Sequence, residues 1–223
     1  MTSPLFALPR ERREISPGAL HLPDWLGLDE QLRLVEQCRQ WAAPPAPMRP
    51  TRMPNGAVMS VRTVCLGWHW MPYRYSRIAE DVDGAPVKAL TAELIDLGRR
   101  AVADAWDDPA AVEAFEPDAA LINYYDDAAR MGLHRDADER CDAPVVSISL
   151  GDHCVFRFGN PEVRGRPYTD IELRSGDVFV FGGPSRLAYH GVPKILPGTG
   201  DAALGLDRGR LNVTLRMTGL TDG

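Results

Sequence analysis

The chain has 223 residues, 44% of them hydrophobic and 25% charged, with a formal net charge of −6, which is ordinary globular composition and enough for one large domain or one domain with a sizeable extension. No apolar run approaches the roughly 18–20 residues that span a bilayer, so no membrane partner is expected. The acidic balance argues against a broad phosphate-binding face, yet it leaves room for a local basic groove, because arginines crowd the first half at 49, 52, 62, 74 and 77.

The opening stretch, MTSPLFALPRERREISPG, lacks a basic region followed by an apolar run and does not read as a signal peptide. Residues 1–28 are rich in proline and read as an extended segment wrapped over the body. The spacing of Leu32, Leu34, Val35, Cys38, Trp41 and Ala42 predicts a helix over 29–43, with Asp29 as its N-cap. Residues 44–56 are a proline-broken loop ending in the Asn55-Gly56 turn signal. The stretch 57–77 begins like a strand, then gathers two tryptophans and two tyrosines among arginines. A second amphipathic helix is predicted over 87–106, with Leu90, Leu94, Leu97, Ala101 and Ala105 on one face. The cysteines at 38, 65, 141 and 154 form no CxxC, so a reduced, cytoplasmic protein is expected rather than a disulfide framework.

After residue 118 the texture changes. Short β-rich runs at 120–125, 144–151, 154–159, 170–174, 177–182 and 211–217 are separated by turn residues. Regular short strands of this kind predict a sandwich or barrel, and the whole chain reads as mainly β with flanking helices, an α+β arrangement.

Two patterns carry chemistry. In LHRDADER (133–140), His134 and Asp136 stand two apart, so on a strand end both point to one side and can grip one ion. A mononuclear iron site needs a third ligand from elsewhere, and His190, in SRLAYHGV, is the candidate. HxD alone arises often by chance, and His190 alone reads equally as a buried histidine bonded to backbone. His69 and His153 have no carboxylate two residues away and are left structural or substrate-facing. The second pattern is GRLNVTLRM, which puts Arg210, Asn212, Thr214 and Arg216 on one face of a strand. Two inward arginines are costly unless an anion meets them, and a dicarboxylate would pair with both. A solvated face, with Leu211, Val213 and Leu215 buried on the other side, is the plain alternative.

Together NYY (123–125), LHRDADE (133–139), PVVSISLG, GDVFVFGGPSRLAYHG (176–191) and RLNVTLR (210–216) resemble the AlkB family of iron- and 2-oxoglutarate-dependent dioxygenases, with a looser echo at MSVRTVCLGW (59–68). The resemblance implies a double-stranded β-helix, or jelly roll, with residues 118–223 as the dioxygenase core and residues 1–117 as an extension with helices and a nucleotide-recognition lid. It implies Fe(II) on His134, Asp136 and His190, with O₂ and 2-oxoglutarate as cosubstrates. Arg210 would pair with the distal carboxylate of 2-oxoglutarate, helped by Tyr125. Arg216 and Asn123 would sit near its iron-chelating end, with Asn212 in support and Thr214 packing or orienting its neighbours.

The implied reaction hydroxylates an N-methyl group and releases it as formaldehyde. The implied substrate is 1-methyladenine or 3-methylcytosine in DNA, preferably single-stranded, or in RNA, bound by a monomer. Trp68 in LGW would stack on the base, with His190 on its other side. Tyr73 and Tyr75, with Arg74 and Arg77, would meet phosphates. Asp138, and secondarily Glu139, would face the cationic base, and Arg164 would contact substrate. Phe181 and Ala188 stand where larger aromatics are common in the family, which implies a roomier pocket. The competing readings are an iron/2-oxoglutarate hydroxylase of RNA, protein or a small molecule, a zinc hydrolase on the same ligands, and a metal-free jelly-roll binding module.

Overall fold

The computed structural model describes residues 10–221, so the first nine residues of the expected extended segment lie outside the described residues. In chain order the elements are β1 (Arg13–Ser16), β2 (Ala19–Leu22), α1 (Leu28–Ala42), β3 (Arg49–Arg52), β4 (Val58–Leu66), β5 (His69–Met71), β6 (Arg74–Ser76), α2 (Ala92–Ala105), α3 (Pro109–Ala114), β7 (Ala119–Tyr125), β8 (Met131–His134), β9 (Val145–Gly151), β10 (His153–Phe158), β11 (Thr169–Leu173), β12 (Val178–Phe181), β13 (His190–Leu196) and β14 (Arg210–Arg216). An eight-stranded sheet runs β1-β2-β12-β9-β14-β7-β4-β3, a four-stranded sheet runs β11-β10-β13-β8, and β5-β6 is a separate hairpin. The two larger sheets are antiparallel throughout their described pairings and form the expected jelly roll. Strands from both sides of residue 117 share the large sheet. Among the described residues no helix is long and apolar enough to cross a membrane.

Strand alternation sorts the large sheet into two faces. Ile122, Val146, Ile148, Val180, Val213 and Leu215 join Leu34, Val35 and Trp41 of α1 and Leu94, Ala101 and Val102 of α2 in one core. Tyr125, Val145, Phe179 and Phe181 face the other way and pack with Phe156 and Phe158 of the small sheet. Each fully buried Val, Ile, Leu or Phe contributes about 1.5–3 kcal/mol, so helix, large sheet and small sheet are held by two apolar layers. The inner layer is interrupted by polar residues, and the cavity lies there.

Four expectations shift. Helix α1 begins after Gly27 rather than at Asp29, because the Glu30 carboxylate accepts the Gly27 N–H at 3.2 Å and leaves Asp29 inside the first turn. Leu32, expected on its apolar face, is exposed. Helix α2 begins at Ala92, where the Thr91 hydroxyl accepts from Leu94 N. The proline-rich N-terminal segment does more than wrap: β2 pairs with β12 and adds two strands to the sheet edge. It is tied down at Asp177, which accepts from His21 Nε2 at 2.8 Å, Arg10 Nη1 at 2.8 Å and Asp24 N at 3.0 Å.

Candidate active site

The register between β8 and β13 sets His134 directly across from His190. Their rings lie 4.4 Å apart, centroid to centroid. Gly191 allows this approach: a Cβ there would stand 2.7 Å from Met131 O and 2.9 Å from Gly132 O, forcing the strands apart. Pro193, which hides β13 in the sequence, sits at the irregular stretch of that strand's ladders, where a missing N–H is tolerated. Asp136 follows β8 and turns inward, 4% exposed.

One ligand atom from each of His134, Asp136 and His190 lies within 4.8 Å of the others. Asp136 Oδ1 is 3.6 Å from His134 Nε2, and Oδ2 is 3.7 Å from His190 Nε2. Each imidazole Nδ1 lies 3.0 Å from a backbone carbonyl oxygen, of Gly132 for His134 and of Ala188 for His190. A carbonyl can only accept, so Nδ1 carries the hydrogen and Nε2 presents its lone pair to the cluster. Burial and the neighbouring His134 push the His190 pKa down to about 4, keeping it neutral. Burial alone would raise the Asp136 pKa. The Arg216 guanidinium, then His190, His134 and Arg186, outweigh it and hold the carboxyl at about 2. Two neutral imidazoles and one carboxylate converging on one point fit a divalent iron with open positions.

The inward row of β14 borders the same cavity, as do Asn123 and Tyr125. All seven β14 residues are buried, so both faces are enclosed and the solvated-face alternative falls. Arg210, 1% exposed, donates Nη2 to Ser149 Oγ at 2.9 Å, while its Nε and Nη1 have no partner among the described residues. A buried guanidinium with two idle donors is costly unless a ligand completes it, and a carboxylate fits. The Tyr125 ring lies beside it, 5.2 Å from ring centroid to Cζ, and burial lifts the phenol pKa to about 12, so it stays a donor. Asn212 donates to Ser147 Oγ and Ile148 O and accepts from Thr214 Oγ1. Asn123 accepts from Thr63 Oγ1 at 2.8 Å. These bonds fix the amides in the cavity floor. Thr214 orients its neighbour, as expected. Phe181 packs 5.0 Å from the His190 ring, and Ala188 is fully buried.

On the outer side the structure corrects several assignments. Trp68 does not face the cavity. Gly67, at φ +73°, turns the chain, and the Trp68 indole donates to Asp118 at 3.0 Å while the Arg77 guanidinium covers its ring at 3.7 Å. Trp70 lines the cavity instead, its Nε1 donating to Asp138 Oδ2 at 2.8 Å. Asp138 also lines the cavity, as expected. Glu139 does not: its side chain, 1% exposed, accepts from Arg216 and Arg186. Tyr75 is not phosphate-facing either, because its hydroxyl donates to Glu139 Oε1 at 2.5 Å. Arg74 pairs with Glu80 at 2.7 Å, and Arg77 donates to Gly67 O at 2.7 Å over Trp68. Tyr73 stands at the hairpin tip, 72% exposed at φ +70°, open to a partner. Arg164 does not line the cavity; its Nε donates to Leu133 O, one residue before His134, at 2.9 Å.

Sequence reasoning missed Trp70, Arg186 and the serines at 147 and 149. Arg186, 4% exposed, donates to the carbonyls of Asp136 and Ala143 at 2.6 and 2.7 Å. Its one sequence signal is a charge inside an otherwise apolar block four residues before His190.

The family model described as the 2OG-Fe(II) oxygenase superfamily matches residues 18–216. The chain is 39% identical over 208 residues to an alpha-ketoglutarate-dependent dioxygenase AlkB homolog of Caulobacter vibrioides, covering 91% of this chain and 88% of that one. It is 31% identical to the DNA N(6)-methyladenine demethylase ALKBH1D of Arabidopsis thaliana, covering 92% of this chain but 50% of the relative, so it spans about half that protein's length. The solved structure of OsALKBH1 superposes with a TM-score of 0.78 at 29% identity, over 93% of this chain and 100% of that one.

Proposed function

Because this chain belongs to the 2OG-Fe(II) oxygenase superfamily, we propose that it is an oxidative demethylase of N-alkylated bases, 1-methyladenine and 3-methylcytosine, in DNA and preferably in single strands. In this reading residues 1–117 form the extension and lid and residues 118–223 the dioxygenase core, working as a cytoplasmic monomer.

His134 Nε2, the Asp136 carboxylate and His190 Nε2 hold the iron. Arg210, with Tyr125, takes the distal carboxylate of 2-oxoglutarate. Arg216 and Asn123 border its other end, and Asn212 braces them. When bound, iron with 2-oxoglutarate and O₂ supplies the oxidising power that hydroxylates the methyl group. The chain's own residues place the base and keep the two histidines in the ligating tautomer. The hydroxymethyl product sheds formaldehyde and leaves the unmodified base.

The observation that carries the substrate class is Asp138 held against the Trp70 indole at the cavity. Methylation at the Watson–Crick edge makes these bases flat cations, and an aromatic face with a carboxylate at its edge suits a flat cation. That edge is inaccessible in a paired duplex, so the base has to be unpaired or flipped. Exposed Tyr73 at the hairpin tip and Arg164 beside the strand of His134 are the outer contacts. The Arabidopsis relative, a DNA demethylase by name, supports nucleic acid as the substrate.

The test is anaerobic Fe(II) loading followed by a panel of methylated DNA and RNA oligonucleotides, single- and double-stranded, read by loss of the methyl mass and by formaldehyde. Release from single-stranded methylated DNA is expected. Iron uptake and succinate production with no methyl lost from any oligonucleotide would redirect the enzyme to a protein or small-molecule substrate. Failure to retain iron would leave a binding module.

A further inference from the structure

Trp70 and Tyr75 are a cross-strand pair in the β5–β6 hairpin, and each grips one of two consecutive acids. Trp70 holds Asp138, in the cavity, and Tyr75 holds Glu139, behind it. Glu139 is one corner of a closed buried ring. Its Oε1 accepts from Arg216 Nη1 at 3.0 Å, and Arg216 Nη2 meets Asp136 Oδ1 at 2.6 Å. Arg186 Nη1 donates to the Asp136 backbone carbonyl at 2.6 Å, and its Nη2 returns to Glu139 Oε2 at 3.0 Å. Two guanidiniums balance two carboxylates, all with side chains under 10% exposed, at 9% and 5% for Arg216 and Arg186 and 3% and 1% for Asp136 and Glu139.

The ring holds Asp136 at both its backbone and its carboxylate. In a dry, polarisable network, a change at one hydrogen bond alters its neighbours. Tyr75 is the member from the hairpin, and its hydroxyl touches both Glu139 and Arg216. If the hairpin shifts when something enters beside Trp70, Glu139 loses a donor and draws more on Arg216, the same guanidinium that sets Asp136.

We propose that Tyr75 and Glu139 are positioning residues that transmit the position of the β5–β6 hairpin, through Arg216, to the metal-ligand carboxylate of Asp136. The proposal rests on the base-binding reading for what moves the hairpin. It gives Glu139 a role opposite to substrate contact: it never meets the base, and it tells the iron site that a base has arrived.

The test uses the full chain under anaerobic conditions, as wild type, Tyr75→Phe and Glu139→Gln. Tyr75→Phe keeps the packed ring and removes one hydroxyl, so a folded protein is expected from thermal melting even where Glu139→Gln is poorly stable. The readouts are Fe(II) dissociation constant by titration, the visible charge-transfer band of the Fe(II)–2-oxoglutarate complex, and the change in that band on adding a single-stranded oligonucleotide carrying 1-methyladenine. Loss of a hydrogen bond to a charged group predicts an Fe(II) dissociation constant shifted about tenfold in Glu139→Gln and severalfold in Tyr75→Phe. The oligonucleotide is expected to move the band in wild type and not in Tyr75→Phe, although both bind it with similar anisotropy-derived affinity. Wild-type band and Fe(II) affinity in both variants would overturn the link. Altered bands in the variants, with a wild-type band that no methylated oligonucleotide moves, would support the link and overturn the base-binding reading beneath it.

Discussion

Arg216 Nη2 lies 2.6 Å from Asp136 Oδ1, so the carboxylate of the proposed ligand set is charged and restrained. Two ligands alone hold a divalent ion poorly. His134→Ala and Asp136→Ala are each expected to abolish formaldehyde release, by at least about a hundredfold, by removing one of three ligands. Metal titration alongside circular dichroism checks this; a folded Asp136→Ala protein with wild-type turnover would remove Asp136 from the site.

Arg210 gives a prediction with two signs. Arg210→Met is expected to raise the 2-oxoglutarate Michaelis constant by about a hundredfold, as a buried charge-assisted pair is lost. The same change should leave the ligand-free protein as stable as wild type or more so, because a buried guanidinium with idle donors gives way to apolar volume. Thermal melts with and without 2-oxoglutarate measure both; a melting temperature that still rises with 2-oxoglutarate in the variant would contradict the assignment.

The two tryptophans should separate. Trp70→Ala is expected to raise the Michaelis constant for methylated oligonucleotide at least about tenfold, in line with base–aromatic stacking of roughly 1–3 kcal/mol, and to spare uncoupled 2-oxoglutarate decay. Trp68→Ala should instead lower the melting temperature, since that indole is 6% exposed and bonded to Asp118. The reverse pattern would restore Trp68 to the substrate.

Asp177 predicts an acid limb. Its pKa falls from 3.8 to about 2: burial raises it, and the His21, Arg10 and backbone hydrogen bonds more than offset that. A depressed carboxylate stabilises the fold above its unfolded pKa, and that contribution drains as pH falls from about 4 toward about 2; it is worth roughly 2 kcal/mol. Urea melts across that window should show Asp177→Asn less stable than wild type at pH 7 and converging with it near pH 2. Parallel pH profiles would argue against this node.

The C-terminal strands were legible because apolar alternation and turn residues mark them; β7, β9, β10, β11, β12 and β14 lie within a residue of expectation at each end. β14 was ambiguous for a physical reason. Its alternation was real, but both faces are buried, and periodicity reports only that two faces differ. β13 was obscured by Pro193, and β1 and β2 by the prolines around them, because strand edges and bulges accept residues that weaken a strand pattern. The metal trio was legible from HxD spacing and the family resemblance. The exchange of Trp68 for Trp70 was not, since it depends on a left-handed turn at Gly67 and on how a three-residue strand meets a loop. The burial of Glu139 behind the cavity was equally hidden: adjacency to Asp138 suggested a shared pocket, whereas these two consecutive loop residues point apart.

On the proposed assignment of Arg210, the placement of β14 at the middle of the large sheet ties cosubstrate capture to heat tolerance. Its inward arginine at 210 is an expense that only an occupied site recovers, so a lineage selected for robustness alone should drift toward methionine or leucine there. A guanidinium at that position, 1% exposed and with two donor atoms unmet among the described residues, weakens the strand until an anion meets it.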